Sequence, residues 1–171
     1  MNEKLEIIKK IFEKSKGILA ADESIPTAGK RLESINVPST PENRQKYREI
    51  FLTAPEIENY LSGVIFFDET FRQTINGNRA QAEQSSYDGK TFAKFVEEKG
   101  IIPGIKVDGG AVDTPEFPGE KITVGLTGLA DRLTEYYSLG ARFAKWRAVI
   151  TISDTLPTDA CLTANAEALA Q

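Results

Sequence analysis

The chain has 171 residues, and its composition of 40% hydrophobic and 27% charged residues is that of a soluble globular protein. A net charge of -4 argues against general affinity for nucleic acids or anionic membranes, so any cationic site must be local. The single cysteine cannot form an internal disulfide, and no histidine is present to join it in a metal cluster or nucleophile pair. The apolar run at 64–67 is far shorter than the ~20 residues that span a bilayer. We expect a cytoplasmic protein with a small-molecule partner and no nucleic-acid or membrane partner.

The pattern of apolar residues predicts strands and helices that alternate along the chain. An amphipathic helix is predicted first, at 3–16, with Leu5, Ile8 and Phe12 on one face. The remaining predictions, in chain order, are a strand at 17–22, helices at 27–35 and 41–53, a strand at 63–67, turns at Asn76-Gly77 and Asp88-Gly89, a helix at 91–99, a strand at 101–107, a loop at 114–119, a helix at 129–139, a strand at 140–152 and a helix at 157–170. Helices between successive strands imply parallel pairing with right-handed crossovers.

Charged residues decide between the two architectures that such crossovers allow, a doubly wound sheet and a (β/α)8 barrel. In a barrel, reactive groups gather at the C-terminal ends of the strands. Charges lie at or near all four predicted strand ends, at Asp22, Asp68-Glu69, Lys106 and Lys145. A whole barrel needs about 250 residues. We therefore predict an α/β fold, a partial TIM barrel of four βα units with an N-terminal helix, in which residues 1–171 form a single incomplete domain.

Two cations, Lys145 and Arg147, lie within the apolar run of the last predicted strand. Alternate side chains of a strand share a face, so both would project together with Phe143 and Val149. Two buried and unpaired charges would cost several kcal/mol each, which favours facing carboxylates or a bound phosphate. The alternative is an exposed edge strand with a solvated face.

If the strands line one interior, Asp22 would meet three cations, Lys106, Lys145 and Arg147. Neighbouring cations lower the pKa of a lysine and can free its amine as a nucleophile or proton carrier, whereas arginine stays charged. This pattern indicates either imine chemistry on a carbonyl substrate or acid-base chemistry on a phosphorylated substrate.

The segment after the first predicted strand carries two hydroxyl groups, Ser24 and Thr27, where a helix begins. They can cap the free amides of the first helical turn, or they can hold a phosphate there together with those amides. Neither a Walker motif nor a dinucleotide-binding glycine motif follows any predicted strand, so no nucleotide cofactor is expected.

Seven short segments carry recognisable motifs: residues 17–24, 30–32, 41–44, 62–65, 104–108, 128–129 and 143–147. Taken in order, they resemble class I fructose-bisphosphate aldolase, the lysine-imine enzyme of glycolysis. The resemblance runs from about Lys16 to the end of the chain and keeps the family's order.

What the resemblance implies is a (β/α)8 barrel that reversibly cleaves fructose 1,6-bisphosphate to dihydroxyacetone phosphate and glyceraldehyde 3-phosphate without a metal or cofactor. By resemblance, Asp22 would position the substrate and exchange protons with it, and Lys145 would assist proton transfer and carbinolamine formation. The substrate-binding residues would be Ser24, Thr27, Arg31, Lys106 and Arg147. The bisphosphate and the triose phosphates are the expected ligands. The expected protein partner is either a second copy of a full-length chain or a C-terminal half-barrel.

The chain departs from the family pattern in two places. Thr127 stands where members usually carry aspartate, which affects a loop contact. The family's paired glutamates, its imine-forming lysine and its second phosphate site would lie beyond Gln171. Neither Lys106 nor Lys145 matches the motif of the imine lysine. The chain corresponds to roughly the first half of the enzyme, and we expect it to be inactive alone.

Two other functions fit the same residues. A half-barrel that dimerises could bind sugar phosphates or act as an interaction module without catalysis. A different lysine-imine aldolase on the same fold would instead use Lys145 itself as the nucleophile.

Overall fold

The computed structural model describes residues 2–75 and 89–171, which fall into two compact units. The first unit contains the described residues up to Lys106 together with Tyr136–Ala144. The second contains Val107–Glu135 and Lys145–Gln171. The turn predicted at Asn76-Gly77, and Asp88 of the second predicted turn, lie outside the described residues.

The described residues alternate between helices and strands along most of their length. The helices are α1 (Glu3–Ile11), α2 (Ile25–Glu33), α3 (Pro41–Leu52), α4 (Asp68–Arg72), α5 (Phe92–Glu98), α6 (Leu129–Ser138) and α7 (Asp159–Ala170). The strands are β1 (Gly17–Ala21), β2 (Leu61–Phe66), β3 (Ile102–Lys106), β4 (Ala111–Asp113), β5 (Lys121–Thr123) and β6 (Phe143–Lys145). Within the described ranges, no helix combines the length and apolar character needed to cross a membrane.

The main sheet has the strand order β1-β2-β3-β6, and the β1–β2 and β2–β3 pairs are parallel, as the crossovers predict. Ala21 pairs with Phe66, and Phe66 pairs with Ile105, so the C-terminal ends of three strands lie in one row. These three side chains are at most 1% exposed. β1 and β2 end at this row, and β3 ends one residue later, at Lys106.

Aromatic side chains build the core of the first unit. The rings of Phe66 and Phe71 meet edge to face with centroids 5.6 Å apart, and Phe71 meets Tyr136 in the same way at 6.0 Å. From α5, Phe92 and Val96 are fully buried. The helix predicted at 91–99 therefore turns apolar side chains into the core. Ring contacts of this geometry add to the stabilisation that burial of the apolar area provides.

Two glycines make room for the ring of Phe143 on the sheet. A Cβ atom at Gly104 would lie 2.3 Å from that ring, and one at Gly63 would lie 3.4 Å from it. Real Cβ atoms do not approach a ring as closely as 2.3 Å, so the sheet accepts Phe143 over β3 because Gly104 has no side chain.

The second unit contains an antiparallel hairpin, β4 and β5, in which Val112 pairs with Ile122. Helix α7 lies against β5, and the Asn165 side-chain amide donates to the Lys121 carbonyl at 3.1 Å. The loop predicted at 114–119 lies between these two short strands, which were not predicted. Three-residue strands are too short for the alternation of apolar residues to be visible in the sequence.

The strand predicted at 140–152 is wrong in extent, because β6 contains only Phe143–Lys145. Beyond it, the Arg147 carbonyl accepts a hydrogen bond from the Thr123 hydroxyl at 2.7 Å, so the chain there bonds to the hairpin instead of continuing a ladder. Apolar periodicity alone does not distinguish a strand from an extended segment that packs on another element.

The first helix is also shorter than predicted, since α1 ends at Ile11 and not near Lys16. Ser15 adopts a left-handed conformation with φ 67°, which turns the chain towards β1. The Gly17 amide then donates to the Tyr60 carbonyl at 2.9 Å as the strand begins. The requirement to enter the sheet therefore overrides local helix propensity in this segment.

Candidate functional site

The C-terminal edge of the sheet in the first unit carries two of the predicted site residues, Asp22 and Lys106. Asp22 follows Ala21 directly, and Lys106 follows Ile105 directly, in the row of paired residues that runs across β1, β2 and β3. Both side chains are half-buried. With one strand between them, their backbones are separated by roughly 10 Å, twice the spacing of neighbouring strands. The structure therefore places the carboxylate and the first cation at the same edge, as predicted.

Ser24 and Thr27 lie together at the start of α2. Their hydroxyl oxygens are 3.1 Å apart, and Ser24 is half-buried whereas Thr27 is exposed. Ser24 occupies the N-cap position, yet its side chain accepts no capping hydrogen bond from the first turn. The Ser24 hydroxyl therefore does not cap the helix, which was one of its two predicted roles. The pair presents two hydroxyl groups beside the amides of a helix start, an arrangement suited to an anion.

Arg31 lies two turns along α2 and reaches back to the segment after β1. Its guanidinium donates to the Glu23 carboxylate at 2.6 Å and to the Tyr47 hydroxyl at 2.7 Å. These two partners, Tyr47 before Glu23, raise the pKa of Arg31. The Arg31 side chain is still 57% exposed, so it lies at the rim of the site and not inside it.

A buried network of ions behind the β1–α2 segment was not anticipated from the sequence. Arg44 and Arg48, one turn apart on α3, face the carboxylates of Glu23 and Glu69. Arg44 binds Glu69 through two hydrogen bonds of 2.8 and 2.6 Å. Burial lowers the pKa of Arg48, while the charges of Glu23 and then Glu69 act in the opposite direction. The sequence contains one indication of this network, the i,i+4 spacing of two arginines on a helix with a buried face.

Glu69 was one of the strand-end charges that supported the barrel prediction. Glu69 pairs with Arg44, and Asp68 accepts a hydrogen bond from the Tyr136 hydroxyl at 2.9 Å. Both acids after β2 therefore contribute to the packing of the first unit. The Arg72 side chain also donates to Asp68 at 2.8 Å.

Lys145 and Arg147 belong to the second unit. The Lys145 carbonyl accepts a hydrogen bond from the Val107 amide at 3.1 Å, and the Lys145 side chain is half-buried. Arg147 is exposed. The prediction that both cations share one face of a strand is wrong, because β6 ends at Lys145. Between them, the indole nitrogen of Trp146 is buried and has no hydrogen-bond partner among the described residues.

No group of three His, Cys, Asp or Glu side chains within residues 2–75 and 89–171 is placed to hold a metal ion. The single cysteine, Cys161, is buried on α7, and that burial raises the pKa of its thiol. Its sulfur lies 3.6 Å from the Lys121 carbonyl, so Cys161 packs between α7 and β5.

Comparison with known families finds one whose model matches nearly the full length of the chain. The model of the family described as fructose-bisphosphate aldolase class-I matches residues 3–171. The chain is a member of the class I fructose-bisphosphate aldolase family. This confirms the resemblance found in the sequence motifs.

Several curated members of the aldolase family resemble the chain over nearly its full length. The "Probable fructose-bisphosphate aldolase class 1" of Xanthomonas campestris is 51% identical over 91% of this chain and 43% of its own length. The fructose-bisphosphate aldolase C-A of Danio rerio is 47% identical over 97% of this chain and 43% of its own. The cytosolic fructose-bisphosphate aldolase 5 of Arabidopsis thaliana is 46% identical over 99% of this chain and 44% of its own. The chain thus spans less than half the length of these relatives.

A solved aldolase structure has the same fold. It is the fructose-bisphosphate aldolase of Plasmodium falciparum in a ternary complex with TRAP and a small-molecule inhibitor. The TM-score is 0.86 at 39% sequence identity, over 98% of this chain and 46% of the other. This aldolase match, with the parallel strands and the N-terminal helix, confirms the predicted partial TIM barrel.

Proposed function

We propose that this chain supplies the first part of an aldolase active site, which reversibly cleaves fructose 1,6-bisphosphate to dihydroxyacetone phosphate and glyceraldehyde 3-phosphate. The observation that carries the proposal is the position of Asp22 and Lys106, one residue beyond a common row of paired strand residues, in a chain whose family match spans 3–171. Groups at this edge are where (β/α)8 enzymes carry out their chemistry.

The proposed catalytic residues are Asp22 and Lys145. Asp22 positions the substrate and exchanges a proton with it as the carbon-carbon bond breaks, a role that suits a half-buried carboxylate. Lys145 assists proton transfer when the substrate carbonyl adds an amine to form the carbinolamine, and again when this loses water to give the imine. The half-buried position of Lys145 at the end of β6 supports this role.

The proposed substrate-binding residues hold the anionic groups of the sugar. Lys106 and Arg147 bind the substrate's anionic end. The hydroxyl groups of Ser24 and Thr27 lie 3.1 Å apart at the start of α2, and together with the amides there they donate hydrogen bonds to a phosphate. Arg31 attracts that phosphate from the rim, which its exposure permits.

We assign the imine-forming amine to no lysine of residues 1–171. Neither Lys106 nor Lys145 lies in the motif that the imine lysine of the family occupies, so we propose that residues 1–171 alone do not cleave the bisphosphate. As a single incomplete domain, they need the rest of a barrel to supply that amine. The partner is then a C-terminal half-barrel or, for a full-length chain, a second copy in a homo-oligomer. A cytoplasmic location is proposed by analogy with the cytosolic relatives.

Complementation tests the proposal. The 171-residue chain is co-expressed with the remaining C-terminal portion of the Xanthomonas campestris relative, and triose phosphate release from fructose 1,6-bisphosphate is measured. We expect turnover by the pair, none by the chain alone, and a borohydride-trapped adduct on the C-terminal portion. In the pair, Asp22→Asn and Lys145→Met should lower kcat by about 10²-fold or more, while the exposed control Lys94→Met should leave it unchanged.

Two results would contradict the proposal in different ways. A folded pair that releases no triose phosphate would exclude the aldolase function of this chain. Cleavage by the chain alone, with the trapped adduct on Lys145, would make Lys145 the nucleophile.

A second candidate function, phosphate-sugar binding without catalysis, is favoured by the first turn of α2, where the Ser24 hydroxyl is not used for capping. Calorimetry with fructose 1,6-bisphosphate separates the two. Saturable binding to a stable dimer that shows no turnover after complementation would favour the binding module.

A further inference from the structure

Arg48 contacts the backbone of the segment that carries Asp22 and Ser24. Its guanidinium donates a hydrogen bond to the carbonyl of Glu23, the residue between them. The Glu23 carboxylate lies 3.9 Å from Nε of the same guanidinium. Arg48 therefore holds both the backbone and the side chain of this residue, and any displacement of Arg48 moves Asp22 and Ser24 as well.

The burial of Arg48 makes its position rigid. Its side chain is fully buried, and the Glu69 carboxylate lies 3.7 Å from Nη1, which like the 3.9 Å separation from Glu23 is an ion pair without a hydrogen bond. A buried guanidinium is tolerated only while counter-charges and hydrogen bonds compensate for its lost hydration. Moving the segment away from Arg48 would leave that charge without Glu23, which is strongly unfavourable.

Arg44 holds the other end of the network in place. It binds Glu69 through two hydrogen bonds and also donates to the Ser39 carbonyl at 2.9 Å. Glu69 is thereby fixed as a counter-charge for Arg48, whose Nη2 donates to the Glu23 carbonyl. The two arginines thus differ in one respect that can be tested, because Arg44 bonds to Glu69 and Ser39 whereas Arg48 contacts Glu23.

We propose that Arg48 is a positioning residue, which fixes the Asp22-Glu23-Ser24 segment so that the Asp22 carboxylate faces the reacting carbon atoms of the substrate and the Ser24 hydroxyl faces its phosphate. The role of that segment rests on the proposed function. The positional claim itself rests on the buried contacts of Arg48 with Glu23 alone.

The matched pair Arg48→Lys and Arg44→Lys tests the proposal in the 171-residue chain. Each keeps a positive charge at a buried position, but a lysine ammonium cannot reproduce the forked contacts of a guanidinium. The primary measurement is amide hydrogen exchange at Ala28, whose amide donates to the Ser24 carbonyl at 2.9 Å, with Val64 in β2 as the reference. Titration with inorganic phosphate, followed through the Ser24 and Thr27 amide resonances, is the second measurement.

In Arg48→Lys we expect exchange at Ala28 to become at least about tenfold faster relative to Val64, and in Arg44→Lys to change much less. We also expect phosphate to bind at least about threefold more weakly to Arg48→Lys than to Arg44→Lys. A merely structural role of Arg48 would instead accelerate exchange at Ala28 and Val64 together.

Equal effects of the two substitutions on Ala28, or a uniform acceleration in Arg48→Lys, would overturn the proposal. If the unsubstituted chain does not respond to phosphate but Ala28 exchange still rises selectively, the positioning role stands and the phosphate role of the proposed function fails. Should Arg48→Lys not fold, Glu23→Gln removes the carboxylate that Arg48 and Arg31 share, and Arg31→Gln removes the Arg31 ion pair alone. Exchange at Ala28 that is no faster in Glu23→Gln than in Arg31→Gln would then refute the proposal.

Discussion

At the scale of single residues, side-chain size at Gly104 decides whether β6 can lie on the sheet. The ring of Phe143 occupies the space that a Cβ atom at Gly104 would need. The motif at 104–108 marks this glycine, but only its position under an aromatic ring explains why the residue must be glycine.

Gly104→Ala is expected to lower the free energy of unfolding by about 1–3 kcal/mol, the usual cost of overpacking a core. The added methyl group would lie 2.3 Å from the Phe143 ring, so either the ring or the strand must move. Urea titration followed by far-UV circular dichroism measures the change. Gly17→Ala is the control, because a Cβ atom there meets no other atom within 4 Å. Equal stability of Gly104→Ala and the unsubstituted chain would show that Phe143 can leave this position freely.

At the scale of secondary-structure elements, a buried acid determines how α7 begins. Glu120 is 1% exposed, and its carboxylate accepts hydrogen bonds from the Thr158 amide at 3.0 Å and the Thr158 hydroxyl at 2.7 Å. Thr158 in turn caps α7 by accepting a hydrogen bond from the Cys161 amide at 3.2 Å. The start of this helix therefore depends on an ionised carboxylate from the loop before β5.

The hydrogen bond from the Thr158 side chain lowers the pKa of Glu120, so ionised Glu120 stabilises the folded state. This stability is fully present above the pKa of an unfolded glutamate, about 4.3, and is lost as the pH falls through the lower folded value. The difference in free energy of unfolding between the chain and Glu120→Gln should therefore shrink below about pH 4.3. Urea titrations between pH 7 and pH 3 test this.

The exposed Glu116 provides the control for that titration, because Glu116→Gln changes the same charge in the same loop without touching Thr158. If the difference in free energy of unfolding between the chain and Glu120→Gln stays constant across this pH range, ionisation of Glu120 does not stabilise the folded state. In that case the carboxylate would contribute through its shape and not through its charge.

At the scale of the whole molecule, β1 forms one end of the main sheet, and among the described residues it is paired with β2 alone. Ile18 in β1 is 44% exposed. A strand with one unpaired edge and an exposed apolar side chain is a template for pairing with another chain. This is the edge that a complementary half-barrel would cover under the proposed function.

The isolated chain is therefore expected to associate, and Ile18→Lys should weaken that association because a lysine on an edge strand opposes pairing. Sedimentation velocity over a range of concentrations measures the effect. Ile50→Lys is the matched control, since Ile50 is 75% exposed but lies on α3. If Ile50→Lys reduces association as much as Ile18→Lys, general apolar contact and not the β1 edge holds the chains together.

The order of strands and helices in the first unit could be predicted because it is encoded locally. Helices α3 and α5 agree with their predicted ranges to within about a residue at each end, which is the normal uncertainty of helix boundaries. The apolar run at 101–107 likewise contains β3. Asp22 and Lys106 could be placed at one edge because parallel strands all end on the same side of a sheet.

The family, the parallel strands and the strand-end charges can be inferred from residue order, since each follows from short motifs or from apolar periodicity. The length of β6, the hairpin in the second unit and the burial of Arg48 beside Glu23 arise only from tertiary contacts. The last of these joins residues 25 positions apart. Such contacts depend on how α3 packs against α2 and the segment that precedes it, and no local pattern of residue types encodes that packing.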